Sequence, residues 1–451
     1  MSQIMEQKKI DFEALYGFME RNYLKNRTIV SKDNFGLLED IKTLSKLPVH
    51  YHRYKTGEDH GTWIVPEQWD VQEAWIKDAS GKIIASYDDH PLFVAPYSGN
   101  IDQTFTKKEL EPHILFSQEQ PDAYAYNYRF AYDPKKRLKD WGISIPKEVF
   151  DSLGSGKFHV FINTRIQQGE MLIGEVRLQG KSKETITFVA DYCHPGQVND
   201  SFSGLVMFLE VMNMLSHREN NYYTYNFLML PETIGSAIYL ASKSQGDLNI
   251  LGSIFSDTVG WGEEWYFKST RLGNTYFDLA AQACRLKYSD LKALSFMGPI
   301  GNDEYLFDSS QAKIPSLCLE KYPYDEYHTS NDNLDHLRLE DIEKACNIIL
   351  YFVDILERDA VFEFVHNVPF HMSRYDLYAD YVYDNEQYMK NRAIIDTTDG
   401  KTSILEIACQ MNVCFEEVED YVLRMYKEGL VRKCTDQCIA NFNLKQSRRR
   451  L

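Results

Sequence analysis

The sequence predicts an α/β fold: a mixed, mostly parallel sheet covered by helices on both faces, with a β-rich inserted unit and a small C-terminal winged-helix unit. Three observations carry this. Between residues 156 and 365, short β-branched and apolar runs alternate with segments whose apolar residues recur every three or four positions. From about residue 48 to 155 the apolar period is two, punctuated by turn residues. After a polar, tyrosine-rich stretch around 370–392, two short helical patterns are followed by strand-like runs.

Residues 1–47 read as helix, turn, helix, with Phe12, Leu15, Phe18, Met19 and Tyr23 forming the stripe that packs on the core. In 48–155, TWIVP, VQEAWIKDASGKIIASY and LFVAPYS alternate apolar and polar residues, and Asp78-Ala79-Ser80-Gly81 is a hairpin connection. In 156–365 the expected strands are FHVFINT, MLIGEVRLQG, TITFVADY, YTYNFLML, ILGSIFSD and IPSLCLE. The expected helices fall at 203–216, 233–244, 277–287 and 339–359. In 366–451, helices at 403–412 and 416–430 join through a tight turn, and VRKC and IANFNL are the expected wing strands.

The chain has 451 residues with 49 Lys+Arg against 66 Asp+Glu, a net charge of -17 that opposes polyanions and anionic membranes. Nucleic acid is therefore an unfavoured partner, and the second tail helix begins FEEVEDY, presenting the wrong sign to phosphates. Contacts between copies of the chain in a homo-oligomer, or with another protein, suit that helix better. No stretch is apolar enough to span a bilayer, and the start lacks a basic segment followed by an apolar one, so the expected location is cytoplasmic. Eight scattered cysteines do not suggest a disulfide framework. Cys409, Cys414, Cys434 and Cys438 form two close pairs that offer an alternative structural zinc site, with spacing unlike a zinc knuckle.

In an open α/β sheet, ligands bind beyond the carboxyl ends of the strands. Just past successive strand ends come Cys193 and His194, then Asn199-Asp200, Glu232, Asp257, and Glu326 to Thr329 with His328. Singly, each has an ordinary structural reading: Asn199-Asp200 as a helix cap, Glu232 as first-turn charge, His328 as a surface residue. Together, two histidines and three carboxylates on one sheet edge are the set that zinc, as one or two ions, requires. Asp200 is the natural bridge, because a helix start favours its ionised form, and imidazole donors favour zinc over magnesium.

These segments resemble a known superfamily. VADYCHPGQVNDSFSG, LPETIGSAIYL, IFSDTVG, GNDEYLFDSSQAKIP and YDEYHTSNDNL occur in the order and approximate spacing of the co-catalytic zinc exopeptidases, typified by bacterial aminopeptidases and glutaminyl cyclases. The likeness is closer to a bacterial aminopeptidase-like subfamily, often met near polysaccharide or secondary-metabolite genes, with a β-rich insertion and, in some members, a C-terminal winged helix. The resemblance implies a metal-dependent hydrolase cleaving an amide bond in a peptide or small amino-acyl metabolite. It implies His194 and Asp257 on one zinc, Glu232 and His328 on the other, Asp200 between them, Asp303 in support, and Thr329 and Asp332 shaping the loop of His328. Two departures stand out. Gly196 occupies the place of an aspartate that orients the first histidine, and Pro231-Glu232 supplies one glutamate where two are usual. Either Glu232 is a ligand and the general base lies elsewhere, Glu304 being the first candidate, or Glu232 is the base and one zinc is weakly held or missing. The competing readings are a catalytically impaired metal-binding recognition module and a ligand-sensing regulator acting through the winged helix.

Overall fold

The computed structural model describes residues 12–133, 135–243, 249–298, 301–435, 438–439 and 442–443. The first eleven residues, on which the reading of the chain start rests, and the terminal KQSRRRL lie outside the described residues.

TITFVAD, every residue of which is buried, becomes the strand Thr185–Asp191 near the middle of an eight-stranded sheet. The strand order runs His50–Lys55, Glu170–Leu178, Thr224–Leu230, Thr185–Asp191, Ile250–Phe255, Ser316–Tyr322, Glu264–Lys268, Leu291–Leu294. The four strands from 224–230 to 316–322 are mutually parallel, and antiparallel strands extend the sheet on either side. Because side chains alternate across a strand, Ile186, Phe188 and Ala190 enter one apolar cluster while Val189 enters another. The first cluster is closed by the helices Gly204–Ser216, Tyr276–Lys287 and Leu339–Arg358. The second is closed by the helix Ile234–Ser242 and by the β-rich unit. Fully burying a side chain such as Phe188 contributes roughly 1.5–3 kcal/mol, so both faces of the sheet hold the strand ends firmly in place.

The β-rich unit is built on a four-stranded antiparallel sheet ordered Ile83–Ser86, Gln68–Lys77, Lys157–Gln167, Ile101–Thr106. Two strands lie on the other side of the boundaries that the sequence suggests. FHVFINT pairs within this small sheet and not the main one, and His50–Lys55 joins the main sheet. Trp69, Ile76 and Val160 of the unit share one apolar cluster with Val189, Leu228 and Phe255 of the main sheet. The unit therefore packs directly against the strands whose ends carry the candidate ligands.

At the C-terminus, Asp399–Ser403 and Val431–Thr435 pair antiparallel with Val361–Phe364, which follows directly from the last core helix. The helices Asn385–Thr397, Ile404–Met411 and Phe415–Lys427 complete the unit. VRKC forms the expected strand, whereas Ile439 and Phe442, described residues of the expected second wing strand, are helical and buried. Among the described residues no helix is long and apolar enough to cross a membrane.

Candidate metal centre

The strand Thr185–Asp191 ends against a tight loop that turns back into the helix Gly204–Ser216. A Cβ on Gly204 would sit 2.1 Å from the carbonyl oxygen of Ser256, so only glycine lets this helix start lie against the end of the neighbouring strand. Within the loop, His194 has φ +74° and Gly196 φ +78°. Two further left-handed residues occur at candidate ligands or beside them, His328 at φ +57° and Thr233 at φ +63° after Glu232. A non-glycine residue held there costs about 1–3 kcal/mol and persists only where its surroundings fix it.

The fixing groups are buried carboxylates. Asp332 accepts the backbone N–H groups of Val198 at 2.8 Å, Asn199 at 2.6 Å and Asp200 at 3.1 Å. Asp303 accepts the Thr233 N–H at 2.6 Å and the Ser236 hydroxyl at 2.7 Å, holding the turn that carries Glu232. Burial, followed by neighbouring acids, pushes both carboxyls up to about 7, Asp191 acting on Asp303 and Asp200 on Asp332.

The turns aim four side chains at one point. His328 Nε2 lies 3.1 Å from Asp200 Oδ2, His194 Nδ1 lies 3.4 Å from Asp200 Oδ1, and His194 Nε2 lies 3.4 Å from Glu232 Oε2. Asp191, which closes its strand, places Oδ2 3.1 Å from His194 Nδ1, and its buried Oδ1 has no hydrogen-bond partner among the described residues. Gly196 offers no carboxylate, and a Cβ there would lie 2.6 Å from His90 Cε1; the carboxylate beside the His194 ring is that of Asp191, on the same nitrogen that faces Asp200.

Charge at this edge is out of balance. Burial, then Asp191, Asp303 and Asp200, hold Glu232 well above the usual carboxylate range, with His194 opposing. Burial and then Asp200 do the same to Asp257. For Asp200 burial acts upward, but His194 and His328 win and keep it below its usual range. His194 rises despite burial, chiefly because of Asp200. Burial pushes the Cys193 thiol up to about 12, so it remains a thiol that accepts the Glu232 N–H at 3.2 Å.

The structure brings together His194, Asp200, His328 and Glu232. Asp257 is buried at the same edge but occupied otherwise, accepting the Asn302 amide N–H at 2.8 Å, and it makes no ion pair with either histidine. Glu304 is not placed to be a general base: it is fully buried, its Oε1 bonded to Lys268 Nζ at 2.6 Å, and it does not line the cavity. Sequence reasoning missed Asp191, whose signal is a charged residue ending an otherwise apolar strand. It also missed the tyrosines of the β-rich unit, which carry no local signal.

Those tyrosines form a wall. Ala125 bridges to Thr329, the Tyr126 N–H donates to the His328 carbonyl at 2.8 Å, and the Tyr126 ring stands edge-on to both histidines, 5.0 and 5.1 Å between centroids. Tyr128 and Tyr132, with Tyr322 and Tyr327, line a cavity of about 490 Å³ that opens onto His194, Asp200, Glu232 and His328. The Tyr132 hydroxyl donates to the Glu232 carbonyl at 3.0 Å. A larger cavity, about 640 Å³, lies between the helices Tyr276–Lys287 and Ile404–Met411 and includes none of these groups. Of the cysteine alternative, Cys409 and Cys414 donate to the carbonyls of Leu279 and Leu286, and none of the four belongs to a metal-ligating group among the described residues.

The donors fit zinc. Two ligands on one tetrahedral zinc at 2.0–2.1 Å stand about 3.3 Å apart, close to the 3.4 Å from His194 Nδ1 to Asp200 Oδ1 and the 3.1 Å from His328 Nε2 to Asp200 Oδ2, while Glu232 faces the other nitrogen of His194. The buried Asp191 oxygen without a partner among the described residues, and the three buried aspartates Asp191, Asp200 and Asp257 near it, suit an added cation at this edge.

The chain is similar to a candidate polysaccharide-biosynthesis protein with an aminopeptidase-like domain from Clostridium acetobutylicum, 25% identical over 428 residues, covering 93% of this chain and 96% of that protein. Among solved structures it resembles a candidate peptidase from Clostridium acetobutylicum, with TM-score 0.81, 23% identity, and coverage of 93% and 96% of the two chains. It also shares the fold of a zinc aminopeptidase from Bacillus subtilis, with TM-score 0.55, 15% identity, and coverage of 77% and 95%. The superfamily fold that the motifs resemble is thus the fold observed. Residues 16–359, well over half of the chain, match the family described as Domain of unknown function (DUF4910), and the chain belongs to that family.

Proposed function

We propose that the chain is a metal-dependent amide hydrolase of the aminopeptidase type, acting on a peptide or small amino-acyl metabolite. The observation that carries this is the convergence of His194, Asp200 and His328, within 4.8 Å of one another, at a cavity that also exposes Glu232. His194, Asp200 and His328 would hold one zinc, three protein ligands with a position left open being the arrangement of a catalytic ion. Zinc bound there supplies Lewis acidity toward a carbonyl oxygen and lowers the pKa of water beside it. Asp257, which keeps free lone pairs beside its bond to Asn302, would be the further carboxylate for a second ion.

With Glu304 locked to Lys268, Glu232 is the remaining carboxylate placed to carry a proton from the attacking water to the departing amine. Among the described residues lining the cavity none is Lys or Arg. A substrate's free amino group would meet the carboxylate of Glu232 there. The tyrosine wall narrows solvent access to the reacting carbonyl.

The test is to strip the purified chain with a chelator, reload it with zinc, and assay aminoacyl anilides with free and acetylated amino groups. Expected are turnover of the free-amino substrates only, its loss on chelation, and its return with zinc. A second reading draws on the single cavity glutamate, which leaves Glu232 to serve as both ligand and base if two ions bind: a metal-binding recognition module without turnover. Stoichiometric zinc with no hydrolysis across a broad amide panel would establish that reading and reject the first.

A further inference from the structure

We propose that Arg27, from the N-terminal segment, is the positioning residue that shapes the loop carrying His194 and Asp200, making that segment part of the metal centre. This rests on the metal site proposed above. Arg27 is fully buried, and no carboxylate lies within ion-pair distance of it among the described residues. Its guanidinium donates instead to backbone carbonyls. Nη1 reaches Tyr192 O at 2.6 Å and Cys193 O at 3.0 Å, while Nη2 reaches His194 O at 2.5 Å, Gln197 O at 2.9 Å and Tyr23 O at 3.4 Å. The ring of Phe202, at the far end of the same loop, lies 3.8 Å beneath the guanidinium carbon. A second tether runs the other way, the Gly196 N–H donating to Tyr23 O at 2.7 Å.

Four carbonyls from a six-residue stretch point inward at one place, which buried backbone tolerates only around a donor. A planar fork of N–H groups serves several acceptors at once, as the compact ammonium of lysine cannot. The carbonyl that Arg27 holds most closely belongs to His194, the residue at left-handed φ whose ring must face Asp200 and Glu232. The backbone conformation that aims the ligand is thereby set from outside the loop. Arg27 touches neither the cavity nor a ligand side chain, so it acts through the loop.

The experiment uses the full chain with cobalt(II) in place of zinc, comparing wild type, Arg27→Ala and Arg27→Lys, with near-ultraviolet circular dichroism to confirm folding. Arg27→Ala should bind cobalt about 10- to 100-fold more weakly with an altered visible spectrum, as loss of an outer-shell support does. Millimolar methylguanidinium should restore both the affinity and the spectrum. Should Arg27→Ala not fold, Arg27→Lys decides, because it keeps the charge without the fork and should still bind weakly. Cobalt affinity within twofold of wild type and an unchanged spectrum in the folded variant would overturn the proposal. A wild-type chain that binds no cobalt overturns the metal reading and this proposal with it; normal wild-type binding shared by the variant overturns this one alone.

Discussion

Two buried charge clusters lie side by side at one edge of the sheet, and they balance their charge differently. In one, Lys268 and Glu304 close on each other at 2.6 Å, with side chains 1% and 0% exposed. In the other, Asp191, Asp200, Glu232 and Asp257 surround two histidines, with no lysine paired to them among the described residues, and the side chains of His328 and Glu232 remain 23% and 24% exposed. Asn302 connects them, its backbone N–H bonded to Glu304 and its amide to Asp257. The pair that carries its own cation is structural. The other cluster, whose nearby guanidinium of Arg27 is bonded to loop carbonyls and to none of its carboxylates, opens to solvent, and there an added cation has a place to bind.

The comparison can be broken most severely at Asp200, which touches both histidines. Asp200→Ala should abolish stoichiometric zinc binding and lower turnover by at least about 10³-fold, several kcal/mol of transition-state stabilisation being lost with the ion. Metal analysis and steady-state kinetics on the folded variant check this. The closed pair should respond in stability and not in metal content: Lys268→Met leaves Glu304 buried and alone, costing about 3–5 kcal/mol in denaturant unfolding. Adding Glu304→Leu should recover much of that loss, and bound zinc should stay stoichiometric throughout.

A smaller effect is expected at Asp191. Asp191→Asn keeps the shape but removes the charge beside His194 Nδ1, and should weaken zinc binding about 10- to 100-fold by competition titration.

The last test concerns the sign of the pH dependence. Burial pushes Asp303 and Asp332 up to about 7 and Glu320 up to about 8. Near neutrality the folded, metal-free chain keeps protons that the unfolded chain, with ordinary carboxyls, has already released near pH 4. Its stability should therefore fall as pH rises from about 4 toward 8. Melting curves at a series of pH values test the sign, and a melting temperature that rises over this window would refute it.

Much of the architecture was legible because burial on both faces writes itself into composition. TITFVAD and YTYNFLML are nearly all apolar or β-branched, and both are central strands. The residues just past those strands, His194 and Glu232, were legible for the same reason, since an edge of a parallel sheet gathers whatever follows its strands. FHVFINT was assigned to the wrong sheet because an alternating strand pattern does not say which neighbour it will pair with. Glu304 was misjudged because its partner Lys268 lies 36 residues earlier in the chain, a separation that no local pattern spans.

By itself the sequence determined the layered α/β class, its central strands and the helices that cover them, and the histidines and acids that follow those strands, because periodicity and residue chemistry are local properties. Only the tertiary structure decided which acids gather about the two histidines and which are already paired, that Asp191 lies beside His194, and that tyrosines from the inserted unit wall the cavity. Those outcomes depend on distances of 3 to 4 Å between residues far apart in the chain, and such distances are fixed by packing.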